Sequence, residues 1–221
     1  YMKNTKIILF ILISLINFSG LSLSLSNSDI AAIKFTFVQA AYSATLSTIL
    51  AIPVAKALLR QNFWGKRFVV LILGAPFILP VIVAILGLIL VFGNNGIVNN
   101  LLNLIGLGSV KIYGFWGVIL AHVFFNLPLA IRILLQALND VPGEHYRLVS
   151  SLKLSFTQNF LALEWPVLKK VCPGIWAVIF AICLSSFAVA LTLGGGPKAT
   201  TVELAIYQSF FYDLDFSKAA Q

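Results

Sequence analysis

The 221 residues are 60% hydrophobic and only 10% charged, with a formal net charge of +8 and a mean hydropathy of +0.99. No water-soluble domain of this size needs so much apolar surface, so the composition excludes a soluble enzyme or binding module and points to one all-α, polytopic transmembrane helix bundle filling the length. The basic excess does not indicate nucleic acid, because the Lys and Arg residues stand at the ends of apolar runs, where membrane topology places them.

In chain order, residues 7–25 are apolar behind Lys3 and Lys6. A signal peptide has the same charged start and apolar core, but no small-x-small cleavage site follows, so we expect an uncleaved first span. Residues 26–36, with Asp29 and Lys34, read as a short polar link. Residues 37–59 form the expected second span, rich in Ser43, Thr45, Ser47 and Thr48. Small hydroxyl residues suit close helix packing, which suffices to explain most of them. Lys56, Arg60, Lys66 and Arg67 cluster around the next connection.

Residues 68–92 form the strongest span, without a charge, and Pro76 and Pro80 should bend it. Carbonyls freed at such a bend must find neighbours or water. Residues 93–111 read as a polar link of asparagines and glycines, and 113–135 as the fourth span.

His122 and Asn126 are four apart and share one face of that span. A hydrogen bond between helices and the lining of a pathway are both open readings. Arg132 at the inner end reads as a snorkelling anchor. Nothing resembles a catalytic constellation: no second histidine lies near, no carboxylates pair, and no activated serine motif is present.

Residues 140–170 are the longest run that cannot sit in lipid. The pattern predicts two short helices, 143–152 and 155–163, the second opened by a capping box of Ser155 and Gln158 and closed at Trp165-Pro166. Leu148, Leu152, Phe156 and Phe160 give them one apolar side. We read this segment as an elbow that docks a soluble partner.

Residues 172–193 form the expected fifth span. Cys172 and Cys183 within it read as packing residues, since they lack pairing or metal-ligand spacing, and no metal site is expected. Gly194 to Thr200 resembles a phosphate loop only superficially: the glycine spacing is wrong and no strand precedes it. No ATP site and no bound cofactor is expected in this chain. Residues 199–221 are too polar to span.

With the N-terminus inside and the spans alternating, eleven of the 15 Lys and Arg fall on the cytoplasmic side or its border, the elbow included. Lys34, Lys111, Lys198 and Lys218 fall outside, in agreement with the positive-inside rule.

The elbow also carries a resemblance. Its spacing resembles the coupling-loop signature of permease subunits of binding-protein-dependent ABC importers: glutamate, two alanines, three residues, glycine, nine residues, then isoleucine, any residue, leucine, proline. Leu163, Trp165 and Pro166 match its closing part. Counting back places Arg147 at the glutamate, Leu148 and Val149 at the alanines, and Lys153 at the glycine, with Glu144 one turn early. Three strings strengthen the likeness and point to the thiamine-importing permeases of the family: His122 to Pro128, Glu164-Trp165-Pro166, and Leu193 to Gln208.

The resemblance implies a type I importer permease fold in which five spans are visible and a sixth is missing, as if this were the first of two six-span halves. It implies a passive, multi-pass conduit in the bacterial inner membrane for thiamine or its phosphates, with no catalysis of its own. The implied partners are an ATP-binding subunit dimer docked on Glu144, Arg147, Leu148, Leu152, Lys153, Phe156, Leu163, Trp165 and Pro166, a periplasmic binding protein outside, and a second permease half. Arg147 reverses the charge expected at the docking groove. Lys153 in place of glycine costs about 1 kcal/mol if a positive φ is needed there. A permease for another cargo, such as ferric ion or an anion, shares the same fold, and a membrane scaffold protein is the reading from another class.

Overall fold

A computed structural model describes residues 26–152, 155–196 and 199–211. The expected first span lies outside the described residues. Those described are helical throughout, in the order α1 (Asn27–Arg60), α2 (Lys66–Ile72), α3 (Ala75–Ile78), α4 (Val81–Phe92), α5 (Ile97–Leu104), α6 (Phe115–Asn139), α7 (Gly143–Ser151), α8 (Phe156–Asn159), a π-helical turn (Phe160–Glu164), α9 (Trp165–Leu184), α10 (Phe187–Leu193) and α11 (Val202–Phe211). Among the described residues, four stretches are long and apolar enough to cross a membrane: Asn27–Arg60, Val81–Leu104, Phe115–Asn139 and Thr157–Leu184.

Residues 26–36 are not a link but the cap and opening turns of α1. The Ser26 N–H donates to the Asp29 carboxylate at 2.8 Å, and an acid in the first turn suits the positive end of the helix dipole. Further along, Ala40, Ser43, Ala44, Ser47, Ala51 and Ala55 make one fully buried stripe. Side chains this small bring the backbone of α1 close to α6 and α9, as the composition of the second span predicts. In lipid such contacts act through van der Waals packing rather than hydrophobic transfer, so close approach is the main attraction available. Leu134, Leu138, Leu168, Ile175 and Ile179 complete that core. Phe35 meets Phe115 and Ser43 meets His122, so α1 and α6 run in parallel, whereas Arg60 meets Glu164 and Gln39 meets Cys183, so α9 runs antiparallel to α1.

The charge-free run 68–92 is not one span. It breaks over residues 73–80, where Leu79 and Pro80 are extended, with ψ 135° and 133°. Pro76 and Pro80 each remove a donor from the ladder, which is the physical reason for two short helices followed by α4. The exposed Arg132 guanidinium lies beside this break, within 3.5 Å of where a side chain on Gly74 would begin.

Residues 93–111 are also more ordered than a polar link suggests. Fully buried Asn99 donates to the carbonyls of Gly93 at 2.8 Å and Val110 at 2.9 Å and accepts from the Val110 N–H at 2.7 Å. One asparagine thereby closes the turn around α5.

The elbow holds α7 and α8 roughly where the pattern places them. The Ser155 N–H donates to the Gln158 side chain at 2.9 Å, and the Gln158 N–H reaches the Ser155 hydroxyl at 3.4 Å. Pro166, however, does not stop the second helix. The π-helical turn shifts the register, with the Trp165 N–H bonding to the Phe160 carbonyl, and Pro166 falls in the first turn of α9, where a missing donor costs little. The last span therefore starts at Thr157 and ends at Leu184, not at 172 and 193. The Ser185–Ser186 break then separates it from α10.

Candidate functional site

Two polar places stand out in an otherwise apolar bundle. The first joins the elbow to the spans. Glu164, fully buried at the end of the π-helical turn, places Oε2 2.8 Å from Lys56 Nζ and Oε1 against the Arg60 guanidinium. Lys56 also lies 3.9 Å from the centre of the Phe160 ring. The cations belong to α1 and the anion to the root of α9, so the pairing ties the elbow to a different span. Removing one partner of such a buried cluster costs about 3–5 kcal/mol, because charge is left without compensation.

On its outward side the elbow is open. Glu144 and Arg147 are exposed on α7, Leu152 is 68% exposed, Trp165 and Pro166 are exposed, and Leu163 is half-buried. Leu148 falls on α7 and Phe156 opens α8, while Lys153 lies outside the described residues. The expected docking residues other than Lys153 thus fall on the elbow helices and the start of α9, with the ion pairs of Glu164, Lys56 and Arg60 beside them.

The second place lies midway along the bundle. His122 Nδ1 is 3.3 Å from the Ser43 hydroxyl of α1. The Asn126 amide donates to the His122 carbonyl at 2.9 Å and lies 3.4 Å from Cys183 Sγ. Gln39 donates to the Cys183 carbonyl at 2.8 Å, near the end of α9, where the helix stops at the Ser185–Ser186 break and its last carbonyls need partners from elsewhere. The shared face of His122 and Asn126 is therefore real, and one of its uses is the contact between helices.

The same two residues also line a cavity of about 300 Å³ where the broken third run meets the break after α9. Pro76, Leu79 and Val81 come from the first break, Ser185, Ser186 and Phe187 from the second, and Phe125 from α6. Both openings in the backbone face this cavity, which is where irregular chain at membrane depth is tolerated. His122 Nε2 and the Ser186 hydroxyl, both buried, have no hydrogen-bond partner among the described residues. Leaving a buried polar group unpaired costs about 1–3 kcal/mol. The sequence hint to Ser186 is a pair of serines inside an apolar run, since serine competes with the helix ladder for backbone partners.

Opposite the elbow, the glycine-rich loop packs backbone to backbone. The Gly114 N–H donates to the Leu193 carbonyl at 2.7 Å. Gly195 has φ +70°, and a side chain there would meet Tyr113 at 3.1 Å, so only glycine fits.

The chain is similar to the thiamine transport system permease protein ThiP of Escherichia coli (strain K12), 46% identical over 189 residues that make up 85% of this chain and 35% of that protein. The same permease of Brucella abortus (strain 2308) is 40% identical over 188 residues, 84% of this chain and 35% of that protein. The chain thus spans about a third of the length of these relatives. No protein-family model matches it. In fold it is similar to a bacterial ABC transporter involved in the import of the acidic polysaccharide alginate, with a TM-score of 0.74 and 19% identity over 90% of this chain and 73% of that one. The alginate ABC transporter has also been seen in complex with its alginate pentasaccharide-bound periplasmic protein; that structure gives a TM-score of 0.71 and 20% identity over 97% of this chain and 80% of the other.

Proposed function

From a chain that is similar over 85% of its length to a thiamine transport permease and shares the fold of an ABC transporter chain, we propose that it belongs to the permease family of ABC importers and forms part of a conduit carrying thiamine or its phosphates across the bacterial inner membrane. ATP hydrolysis takes place in a separate subunit. The observation that carries the cargo is the 46% identity to a thiamine permease across 85% of this chain.

The geometry supports a division of labour. A dimer of ATP-binding subunits docks on α7 and α8 at the cytoplasmic side, with the N-terminus on that same side. A periplasmic binding protein delivers cargo at the opposite end, and a second permease half completes the pathway. Closure of the ATPases moves the elbow as a lever. The Glu164 cluster passes that motion to α1 as well as α9, so the spans tilt together rather than the elbow folding alone. The cavity between the two backbone breaks then lies on the route from one side to the other.

A ferric-ion conduit is less well supported, because the cavity wall carries no carboxylate, and an anion conduit likewise, because it carries no cation. A scaffold protein has no use for paired backbone breaks around a cavity. The test replaces the aligned region of the Escherichia coli permease with this chain, in a strain deleted for that permease, and follows labelled thiamine. Uptake that depends on both the ATPase and the binding protein is expected. A chimera that inserts and assembles but moves no thiamine overturns the cargo.

A further inference from the structure

The cavity between the backbone breaks holds two polar atoms that the protein itself does not satisfy. His122 is fixed through Nδ1 by Ser43 at 3.3 Å, which leaves Nε2 without a partner among the described residues. Ser186 follows the end of α9, and its hydroxyl is also unpartnered. Both residues are more than nine-tenths buried and both belong to the wall of one cavity of about 300 Å³. That is the lower end of the range for small-molecule sites. The rest of the wall is mostly apolar, with Phe125, Phe187 and Pro76, but it also includes Asn126 and Ser185, and among the described residues no charged side chain lines it.

We propose that this cavity is a transient binding site for a flat nitrogen heterocycle, gripped at its polar edge by His122 and Ser186 and on its faces by Phe125 and Phe187. The proposal rests on the thiamine reading and deepens it. Thiamine joins an aminopyrimidine, which has a donor amine and an acceptor ring nitrogen on one edge, to a cationic thiazolium ring that suits an aromatic wall. An imidazole nitrogen and a hydroxyl can each serve as donor or acceptor and can match such an edge. A phosphate finds no cation here, so the phosphate of an esterified cargo stays outside the cavity. The site therefore reads the part that thiamine and its phosphates share. Two hydrogen bonds and an apolar wall make a weak site, as a conduit needs, since cargo must also leave.

The test measures binding of thiamine, thiamine diphosphate and the free 4-amino-5-hydroxymethyl-2-methylpyrimidine to the full chain in lipid nanodiscs. Wild type is expected to bind thiamine and its diphosphate within a few-fold of each other. Ser186→Ala should weaken both by about tenfold, the loss of one hydrogen bond. His122→Phe should weaken both at least as much. Ser43→Ala, which frees the histidine ring without removing it, should weaken them less, and an unfolding temperature that does not fall in Ser186→Ala and His122→Phe shows that their loss is not due to misfolding. Binding that survives both Ser186→Ala and His122→Phe overturns the site and means that the cavity holds only water, whereas thiamine uptake by the chimera would still stand. A chimera that carries no thiamine, while the pyrimidine binds and responds to both variants, overturns the cargo and keeps the site.

Discussion

The elbow root and the mid-bundle cavity both bury polar side chains, but they treat them differently. At the root each oxygen of Glu164 meets a cation, Lys56 or Arg60, and the Phe160 ring covers the ammonium. In the cavity His122 and Ser186 keep one atom each without a partner. A cluster of opposite charges in contact favours one arrangement, as a rigid joint requires. An unpaired one costs stability and makes sense where a passing molecule completes it. The contrast fits the proposed division between a joint for force and a place for cargo.

The largest effect should come from the outward side of the joint. Leu152→Asp puts a charge on a side chain that is 68% exposed, so folding should be untouched while ATPase subunits fail to co-purify. Unchanged co-purification would show that the elbow is not the docking surface.

Next is the joint itself. Glu164→Ala removes the buried carboxylate that Lys56 and Arg60 share, and SDS or thermal unfolding in detergent should show a loss of about 3 kcal/mol. Replacing the whole cluster, with Glu164→Leu, Lys56→Met and Arg60→Met together, should regain most of that stability, because no charge is then left alone. The triple variant should still lose ATP-driven uptake if the joint carries force. Full transport by the triple variant would reduce the cluster to packing.

The smallest effect should come from the cavity. Ser186→Ala should cost no stability and should gain about 1 kcal/mol, since it removes a buried hydroxyl that has no bond to lose. A drop as large as that of Glu164→Ala would mean that the hydroxyl has a structural partner and that the contrast between the two regions fails.

The elbow was legible in residues that act locally. Ser155 and Gln158 need only each other, three positions apart, and the run 140–170 betrays itself by charges that lipid excludes. The shared face of His122 and Asn126 follows from helix periodicity alone. Pro166 misled for a local reason too: proline ends a regular ladder, and only the π-helical turn before it shows that no ladder bond was there to break. Ser186 was passed over because two serines in an apolar run look like small packing residues until the helix is seen to stop at them.

By itself the sequence determined the solvent of this protein, the helical period, the small-residue stripe of α1 and the position of the elbow, because hydropathy and spacing are properties of neighbouring residues. Only the tertiary structure decided where the spans break, that Glu164 meets cations 104 and 108 residues away in the chain, and that two breaks open on one cavity. Lipid cannot satisfy a freed carbonyl or a buried charge, so each break and each ion needs a partner from another helix, and that partner can be identified only when the helices are packed together.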